Sequence, residues 1–245
     1  MRIPRIYHPE TLQASTCVQL SDNAAHHVTR VLRLATGAKI TLFDGTGQDF
    51  HGTLTAVSKK SAEVTLNTVE AVATESPVQG HLIQAICRGE KMDWIIQKAV
   101  ELGIHSITPI MTARSQLKWR PEQQQKKHQH WQNIIINSCE QCGRSTLPIL
   151  NPKQNFSAHI TQSSAGQKWI LRPGAAHKTP TEITADHHPI SFICGPEGGF
   201  SREEVEHATV NGYSAITLGP RILRAETAAM AFLSCMQWQW GDFQS

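Results

Sequence analysis

Two segments combine glycines with charged side chains at spacings that suit a ligand site. The first, GPEGGFSREE at residues 195–204, follows the apolar run ISFIC, and the second, GPRILRAET at residues 219–227, follows AITL. Glycines let the backbone approach a ligand closely, and a helix that begins after such a loop offers unpaired N–H groups. We therefore expect the two loops to build one binding site together.

The glycine spacing excludes the common phosphate-binding motifs. The dinucleotide pattern G-x-G-x-x-G is absent, and no Gly-Lys-Ser/Thr follows either loop. Glu197 would lie close to a bound group, which disfavours a phosphate. A nucleoside without phosphate fits this loop better. The structural alternative is a glycine turn that only joins a strand to a helix.

Arg224 and Glu226 lie two residues apart in the second loop and offer two complementary chemical roles. A guanidinium can donate a planar pair of hydrogen bonds to a carbonyl that gains negative charge, and a carboxylate can accept a proton. The alternative is that both side chains hold the loop in shape. For Glu197 we favour this bracing role over catalysis.

The elements that must position these residues change in character near residue 70. Residues 38–69 alternate apolar and polar side chains in short runs, which is typical of antiparallel strands joined by tight turns. One helix precedes them, with Ser21 or Asp22 as its N-cap and Gly37 as its end. This helix would place Arg30 and Arg33 on one face.

From residue 80 onward, strands and helices alternate. The predicted strands are HLIQAIC, SITPI, KWILRP, ISFICG and AITLG. The helices are EKMDWIIQKAVELG, one from near Pro121, one opened by a capping box from Ser201 to Glu204, and one from about Ala225 to Trp240. The pattern predicts an α/β domain with a mostly parallel sheet, whose ligand site lies at the carboxyl ends of the strands.

Composition sets further limits. The net charge is +3, but residues 87–130 hold eight Lys or Arg against four acids, which suits a polyanionic partner or a solvated helix face equally well. Six scattered cysteines favour free thiols in a reducing cytoplasm. Neither an export signal nor a membrane anchor is predicted. The Cys139-Cys142 pair and the His pairs lack metal-site spacing, so no metal is expected.

The two loops, taken with RGEKMDWIIQKAVELG, SCEQCGR and the opening MRIPRIYH, resemble the SPOUT methyltransferases. They resemble one family specifically, the bacterial 16S ribosomal RNA uracil-N3 methyltransferases of the small subunit. The resemblance covers nearly the whole chain, in order. It implies a PUA-like β-barrel RNA-binding domain over residues 1–72 and a SPOUT methyltransferase domain with a deep trefoil knot over residues 73–245.

The resemblance also implies a cofactor and partners. S-adenosylmethionine would be bound by the knot loops, and the substrate would be 16S rRNA within the assembled small ribosomal subunit. A homodimer would form through knot helices. The last helix has an apolar stripe that can serve either this interface or the core of the domain: Met230, Phe232, Leu233, Met236 and Trp240.

The resemblance implies the cofactor residues and Arg144, whereas the catalytic roles and the other RNA-binding residues follow from side-chain chemistry. Uracil N3 is protonated at neutral pH, so we expect Arg224 to bond a uracil carbonyl and Glu226 to accept the N3 proton. The expected cofactor-binding residues are Leu171, Gly195, Pro196, Gly198, Gly199, Leu218, Gly219, Ile222, Leu223, Arg224 and Thr227. The expected RNA-binding residues are Arg2, Arg5, Arg30, Arg33, Lys59, Lys60, Arg88, Lys91 and Arg144. The alternative for each of the first eight is a charge that is only solvated.

Three other functions remain open from the sequence. One is a catalytically silent RNA-binding module, and the second is a SPOUT RNA methyltransferase that acts on a different nucleotide. The third is a nucleotide hydrolase, against which the missing lysine and the nearby Glu197 both argue.

Overall fold

The computed structural model describes residues 3–58, 60–115, 119–162, 165–174 and 189–244. The chain divides into two compact units. The first consists of Met1–Glu75 together with Ile136–Leu147, and the second of Ser76–Ile135 and Pro148–Ser245. The sequence places the boundary at residue 72, close to the end of the first segment. It gives no sign that residues 136–147 belong to the first unit.

The first unit is built on a five-stranded sheet of order β1-β3-β4-β5-β2. Its strands are β1 (Arg5–Tyr7), β2 (Cys17–Gln19), β3 (Lys39–Phe43), β4 (Gln48–Val57) and β5 (Ala62–Ala71). Strands β3, β4, β5 and β2 pair antiparallel, as the alternating pattern predicts, whereas β1 pairs with β3 in parallel. Alternate residues such as Leu54, Val64 and Leu66 are fully buried in its core.

The helix that precedes these strands is shorter than predicted. Helix α1 covers Asp22–His26, with Ser21 as its N-cap, and a single π-type turn follows over His27–Val31. Arg33 then adopts a left-handed backbone conformation with φ of 52°. The prediction that Arg30 and Arg33 share one helix face is therefore wrong. The β-branched residues of the turn disfavour a longer helix.

Residues 136–147 are held in the first unit by polar contacts. They include the end of helix α3 (Pro121–Cys142) and the loop that follows it. Tyr7 N donates to Glu140 Oε1 at 3.0 Å, and Arg5 Nη2 donates to Ser145 Oγ at 2.9 Å. Arg144 Nε donates to Glu75 Oε1 at 3.0 Å. These pairs are distant in the sequence, so no local pattern predicts them.

The second unit contains a seven-stranded sheet of order β12-β10-β11-β6-β7-β8, with β9 paired to β7. The strands are β6 (Gly80–Ala85), β7 (Ser106–Met111), β8 (Ile149–Leu150), β9 (Gln154–Asn155), β10 (Gln167–Leu171), β11 (Ile190–Cys194) and β12 (Ser214–Ile216). Every one of these pairings is parallel. The predicted parallel sheet is confirmed, and the short strands β8 and β9 are additions to it.

The other helices of this unit are α2 (Lys91–Glu101), α4 (Phe156–Ile160), α5 (Arg202–Val210) and α6 (Ala225–Trp240). The predicted capping box at the start of α5 is present, because Ser201 and Glu204 each accept a hydrogen bond from the other's backbone N–H. In α6 the apolar stripe faces the core of the unit, where the rings of Phe232 and Phe192 lie 4.7 Å apart. Trp240 is half-buried.

Candidate functional site

Three neighbouring strands of the second unit end at one cavity of 610 Å³. Strands β12, β10 and β11 are adjacent and parallel, so their carboxyl ends meet at the same edge of the sheet. The segments that follow them, 171–173, 194–200 and 216–218, form its wall. The first turn of α6 contributes Ala225 and Ala228. A cavity of this size suits a nucleoside-sized ligand.

Most of the predicted cofactor residues lie in this wall. They are Leu171, Gly195, Pro196, Gly198, Gly199, Leu218, Ile222, Leu223 and Arg224. Gly219 and Thr227 lie outside it. Gly219 adopts a φ of 74°, which shapes the loop. Thr227 is exposed, and its neighbour Ala228 lies in the wall instead. The two glycine loops therefore do meet at one site, as expected from the sequence.

Two glycines of the first loop have different local constraints. A Cβ atom on Gly195 would lie 3.1 Å from the ring of Phe200, which is closer than most such contacts. Gly199 has a φ of 67°, in the left-handed region that L residues rarely adopt. Its N–H donates to Pro196 O at 2.8 Å and closes a tight turn. The loop thus presents its backbone directly to the cavity.

Glu197 braces this loop against the start of α2. Its Oε1 accepts hydrogen bonds from Lys91 Nζ at 3.0 Å and from Arg88 N at 3.2 Å. Partial burial opposes ionisation of Glu197, but hydrogen bonds from its own backbone, from Lys91 and from Arg88 together lower its pKa. These contacts agree with the bracing role that we favour for Glu197.

A second set of contacts joins the loop to the segment after β7. Arg114 Nη1 donates to Gly198 O at 2.6 Å. Ala113 N donates to Glu204 Oε1 at 2.7 Å, while the other oxygen of Glu204 completes the capping box. The sequence does not indicate Arg114 as a site residue, because its partner lies 84 positions away. The glycine loop is therefore held from two sides.

The two predicted catalytic residues differ in their relation to the cavity wall. Arg224 is exposed, belongs to the wall and occupies the N-cap position of α6. Glu226 is half-buried and is not part of the wall. Its Oε2 is buried and has no hydrogen-bond partner among the described residues. A buried carboxylate oxygen without a donor is costly.

The predicted RNA-binding residues fall into three groups. Arg30, Arg33, Lys60 and Arg88 have exposed side chains, and Lys91 lies in the cavity wall. Arg2 and Lys59 lie outside the described residues.

The third group, Arg5 and Arg144, has a different environment. Their side chains are only 11% and 5% exposed and form ion pairs with Asp49 and Glu75 inside the first unit. These contacts favour a structural role over the predicted contact with phosphate.

Two cationic residues of the wall were missed as individual site residues. Arg172 follows β10 directly and Arg221 lies in the second glycine loop, and both side chains are exposed. The signal in the sequence is their positive charge, since Arg172 adjoins the predicted Leu171 and Arg221 lies within the predicted second loop.

Among the described residues, no group of three His, Cys, Asp or Glu side chains is placed to hold a metal ion. Across the same parts of the chain, each helix is too short or too polar to cross a membrane.

The chain matches two families of domains that occur in RNA methyltransferases. Residues 74–237 match the RNA methyltransferase domain, and residues 20–67 match the RNA methyltransferase PUA domain. The ribosomal RNA small subunit methyltransferase E of Buchnera aphidicola subsp. Schizaphis graminum is 34% identical over 241 residues, which cover 98% of each chain.

Solved structures are similar over the whole length. A methyltransferase from Legionella pneumophila, solved in complex with the bound cofactor SAM, is 40% identical with a TM-score of 0.96. The ribosomal RNA small subunit methyltransferase E of Neisseria gonorrhoeae, bound to S-adenosyl methionine, is 37% identical with a TM-score of 0.92. Each match covers 99% of this chain and 100% of the other. The fold is thus SPOUT-like with a PUA domain, and this chain belongs to the RNA methyltransferase family that includes the ribosomal RNA small subunit methyltransferase E proteins.

Proposed function

We propose that this protein methylates N3 of a uridine in 16S rRNA of the small ribosomal subunit, with S-adenosylmethionine as the methyl donor. The observation that carries the proposal is the cavity built by both glycine loops, with Arg224 in its wall and the unpartnered Glu226 Oε2 outside it. The names of the similar proteins support small-subunit ribosomal RNA as the substrate, and two similar structures contain the cofactor.

The cavity fits S-adenosylmethionine. Apolar side chains such as Leu171, Leu218 and Leu223 offer surfaces for a nucleoside, while Gly195 and Gly199 expose backbone groups for its polar edges. The bound cofactor would supply an electrophilic methyl group on a sulfonium. Within the wall Glu197 is the acidic side chain, and it is already bonded to Lys91, which agrees with its bracing role.

Arg224 and Glu226 have the properties that methylation at N3 demands. Uracil N3 carries a proton at neutral pH, so it becomes a nucleophile only when that proton is removed. Glu226 has a buried oxygen free to accept the proton. Arg224 is exposed in the wall and can donate hydrogen bonds to the uracil carbonyl where negative charge develops. The base must leave its helix to reach them.

The partners and the location are part of the proposal. We infer that the substrate is rRNA within the assembled small subunit and that the enzyme acts in the cytoplasm. We also infer a knotted chain and a homodimer. Because the predicted stripe of α6 faces the core, the dimer would use exposed aromatic side chains instead, such as Trp94 (44% exposed) on α2 and Trp238 (61%) on α6.

Methyl transfer distinguishes this proposal from its alternatives. The protein is incubated with methyl-labelled S-adenosylmethionine and either small subunits or naked 16S rRNA from cells that lack the enzyme. We expect label in the RNA, with the assembled subunit as the better substrate. A silent RNA-binding module would bind the RNA without transfer. A SPOUT enzyme with another target would place the label on a different nucleotide.

A further inference from the structure

The wall of the cavity has an excess of positive charge. It contains Lys91, Arg172, Arg221 and Arg224, and one acid, Glu197, which is bonded to Lys91. The ion pairs found within the described residues include none of the three arginines. All three arginines are also exposed to solvent. An exposed residue that lines a cavity lies at its mouth, so these cations border the entrance.

This charge acts differently on the methyl donor and on its product. The donor has a positive sulfonium, and transfer of the methyl group leaves a neutral thioether in S-adenosylhomocysteine. Like charges a few ångströms apart repel each other even with strong solvent screening. The arginines at the mouth therefore weaken binding of the donor relative to binding of the product. A polyanion bound to them would remove this penalty.

The three arginines are suited to different tasks. Arg224, at the N-cap of α6, is assigned to the uracil carbonyl under the proposed function. Arg172 and Arg221 come from two different segments that flank the cavity, after β10 and within the second glycine loop. Guanidinium groups bind phosphate oxygens through paired, charge-assisted hydrogen bonds. The RNA backbone next to the target nucleotide would place phosphates at this entrance.

We propose that Arg172 and Arg221 form a phosphate-binding pair at the mouth of the cavity that couples RNA binding to binding of S-adenosylmethionine. The inference rests on the proposed function for the identities of RNA and cofactor. RNA phosphates neutralise the pair and raise the affinity for the charged donor, and the donor raises the affinity for RNA by the same factor. The neutral product lacks this coupling, so RNA dissociates more readily after transfer.

Binding measurements test the coupling without turnover. Calorimetry gives the affinities of S-adenosylmethionine and S-adenosylhomocysteine, each with and without a saturating 16S rRNA transcript. The proteins are the wild type, the double variant with Arg172→Gln and Arg221→Gln, and the control Arg202→Gln. Arg202 is an exposed arginine outside the cavity wall, 88% accessible and paired with Glu206. Thermal melts show whether each variant is folded.

In the wild type we expect RNA to raise the affinity for the donor about tenfold and the affinity for the product by less than about twofold. In the double variant, RNA should change the affinity for either ligand by a factor of only about one. Without RNA, the double variant should bind the donor at least as tightly as the wild type does. The salt dependence of RNA binding should become shallower. The control matches the wild type. The inference is overturned if RNA tightens both ligands equally or neither. It is also overturned if the double variant weakens both ligands equally without RNA, because the arginines would then hold the carboxylate that both ligands share.

The outcomes separate this inference from the proposed function. If methyl label reaches a nucleotide other than uridine, the uracil claim fails while the coupling can still be observed. If transfer to uridine proceeds and the coupling is absent, the proposed function stands and the inference falls.

Discussion

The carboxylate of Glu197 and the ammonium group of Lys91 lie 3.0 Å apart, although 106 positions separate them in the sequence. Their contact fixes the first glycine loop against the first residue of α2. The same carboxylate oxygen accepts from Arg88 N. Glu197, which the sequence places close to a bound ligand, therefore accepts these hydrogen bonds from the protein itself.

The Glu197 contact leads to a prediction about binding. Replacing Glu197 with Ala removes both hydrogen bonds, so the loop loses order and the affinity for S-adenosylmethionine falls about tenfold. Calorimetry measures this change, and Glu203→Ala, an exposed acid in the first turn of α5, is the control. Turnover at saturating cofactor should change little. A large loss of turnover with intact affinity would instead make Glu197 catalytic.

Arg114 holds the same loop from the other side. Arg114→Ala removes the hydrogen bond to Gly198 O, which should weaken cofactor binding about fivefold, with a loss of at most about 1 kcal/mol in the free energy of unfolding. The exposed Arg120, next to α3, provides the matched control Arg120→Ala. Equal cofactor affinity in the two variants would show that this clamp is dispensable.

Glu226 is the residue on which the proposed chemistry depends. Glu226→Gln keeps the shape of the side chain but removes its basicity, so we expect turnover to fall about 100-fold or more. Cofactor affinity should remain within about twofold, because Glu226 lies outside the cavity wall. Single-turnover methyl transfer and calorimetry on the same sample provide the two values. Unchanged turnover would remove Glu226 from the mechanism.

Stability should fall in mild acid because of His81. Burial, together with the nearby His159 and His105, lowers the pKa of His81 to about 4, and its Nε2 shares a hydrogen bond with Thr108 Oγ1 at 2.7 Å. The unfolded chain, with its ordinary histidine pKa, therefore binds more protons between about pH 6.5 and 4. The stabilisation is complete above this window and decreases as the pH falls through it.

The total loss from His81 should approach about 3 kcal/mol at the acid end of the window. Urea unfolding at pH 7.5 and pH 5.0 measures part of it. His81→Asn is the comparison, because it removes the titrating group and should flatten this part of the pH profile. Parallel profiles for the two proteins would contradict the assignment.

Arg144 and Arg30 should respond differently to substitution. Arg144 is 5% exposed and paired with Glu75, so Arg144→Ala should lower the free energy of unfolding by about 2 kcal/mol. Arg30→Gln, at an exposed position, should leave stability unchanged and weaken binding of 16S rRNA with a shallower salt dependence. Urea unfolding and filter binding test both variants. Normal stability in Arg144→Ala would return Arg144 to the RNA-binding set.

Local chemistry in the sequence predicts several elements of the second unit. The capping box at Ser201 and Glu204 depends on residues three apart, and α6 begins at Ala225 and ends at Trp240 as expected. The position of the candidate site is predicted by the rule that adjacent parallel strands end at a common edge. Each of these inferences needs only neighbours in the sequence or a general rule of α/β folds.

Other features depend on contacts that no local pattern encodes. Residues 136–142 continue helix α3, but polar groups of residues 136–147 find partners in Arg5, Tyr7 and Glu75, far away in the sequence. The helical segment at Asp22–Val31 is followed by a left-handed Arg33, a conformation that its residue type does not favour and that the sequence therefore does not predict. Arg114 reaches the site only because β7 lies close to β11 in the sheet order.

The central claim is the identity of the methylated nucleoside. Small subunits from cells that lack the enzyme are treated with the protein and S-adenosylmethionine, the RNA is digested to nucleosides, and the products are separated by liquid chromatography with mass spectrometry. Our account predicts one new product, N3-methyluridine, which is absent when the Glu226→Gln variant is used. Methylation of another base or of the ribose, or no transfer by the wild-type protein, would contradict it.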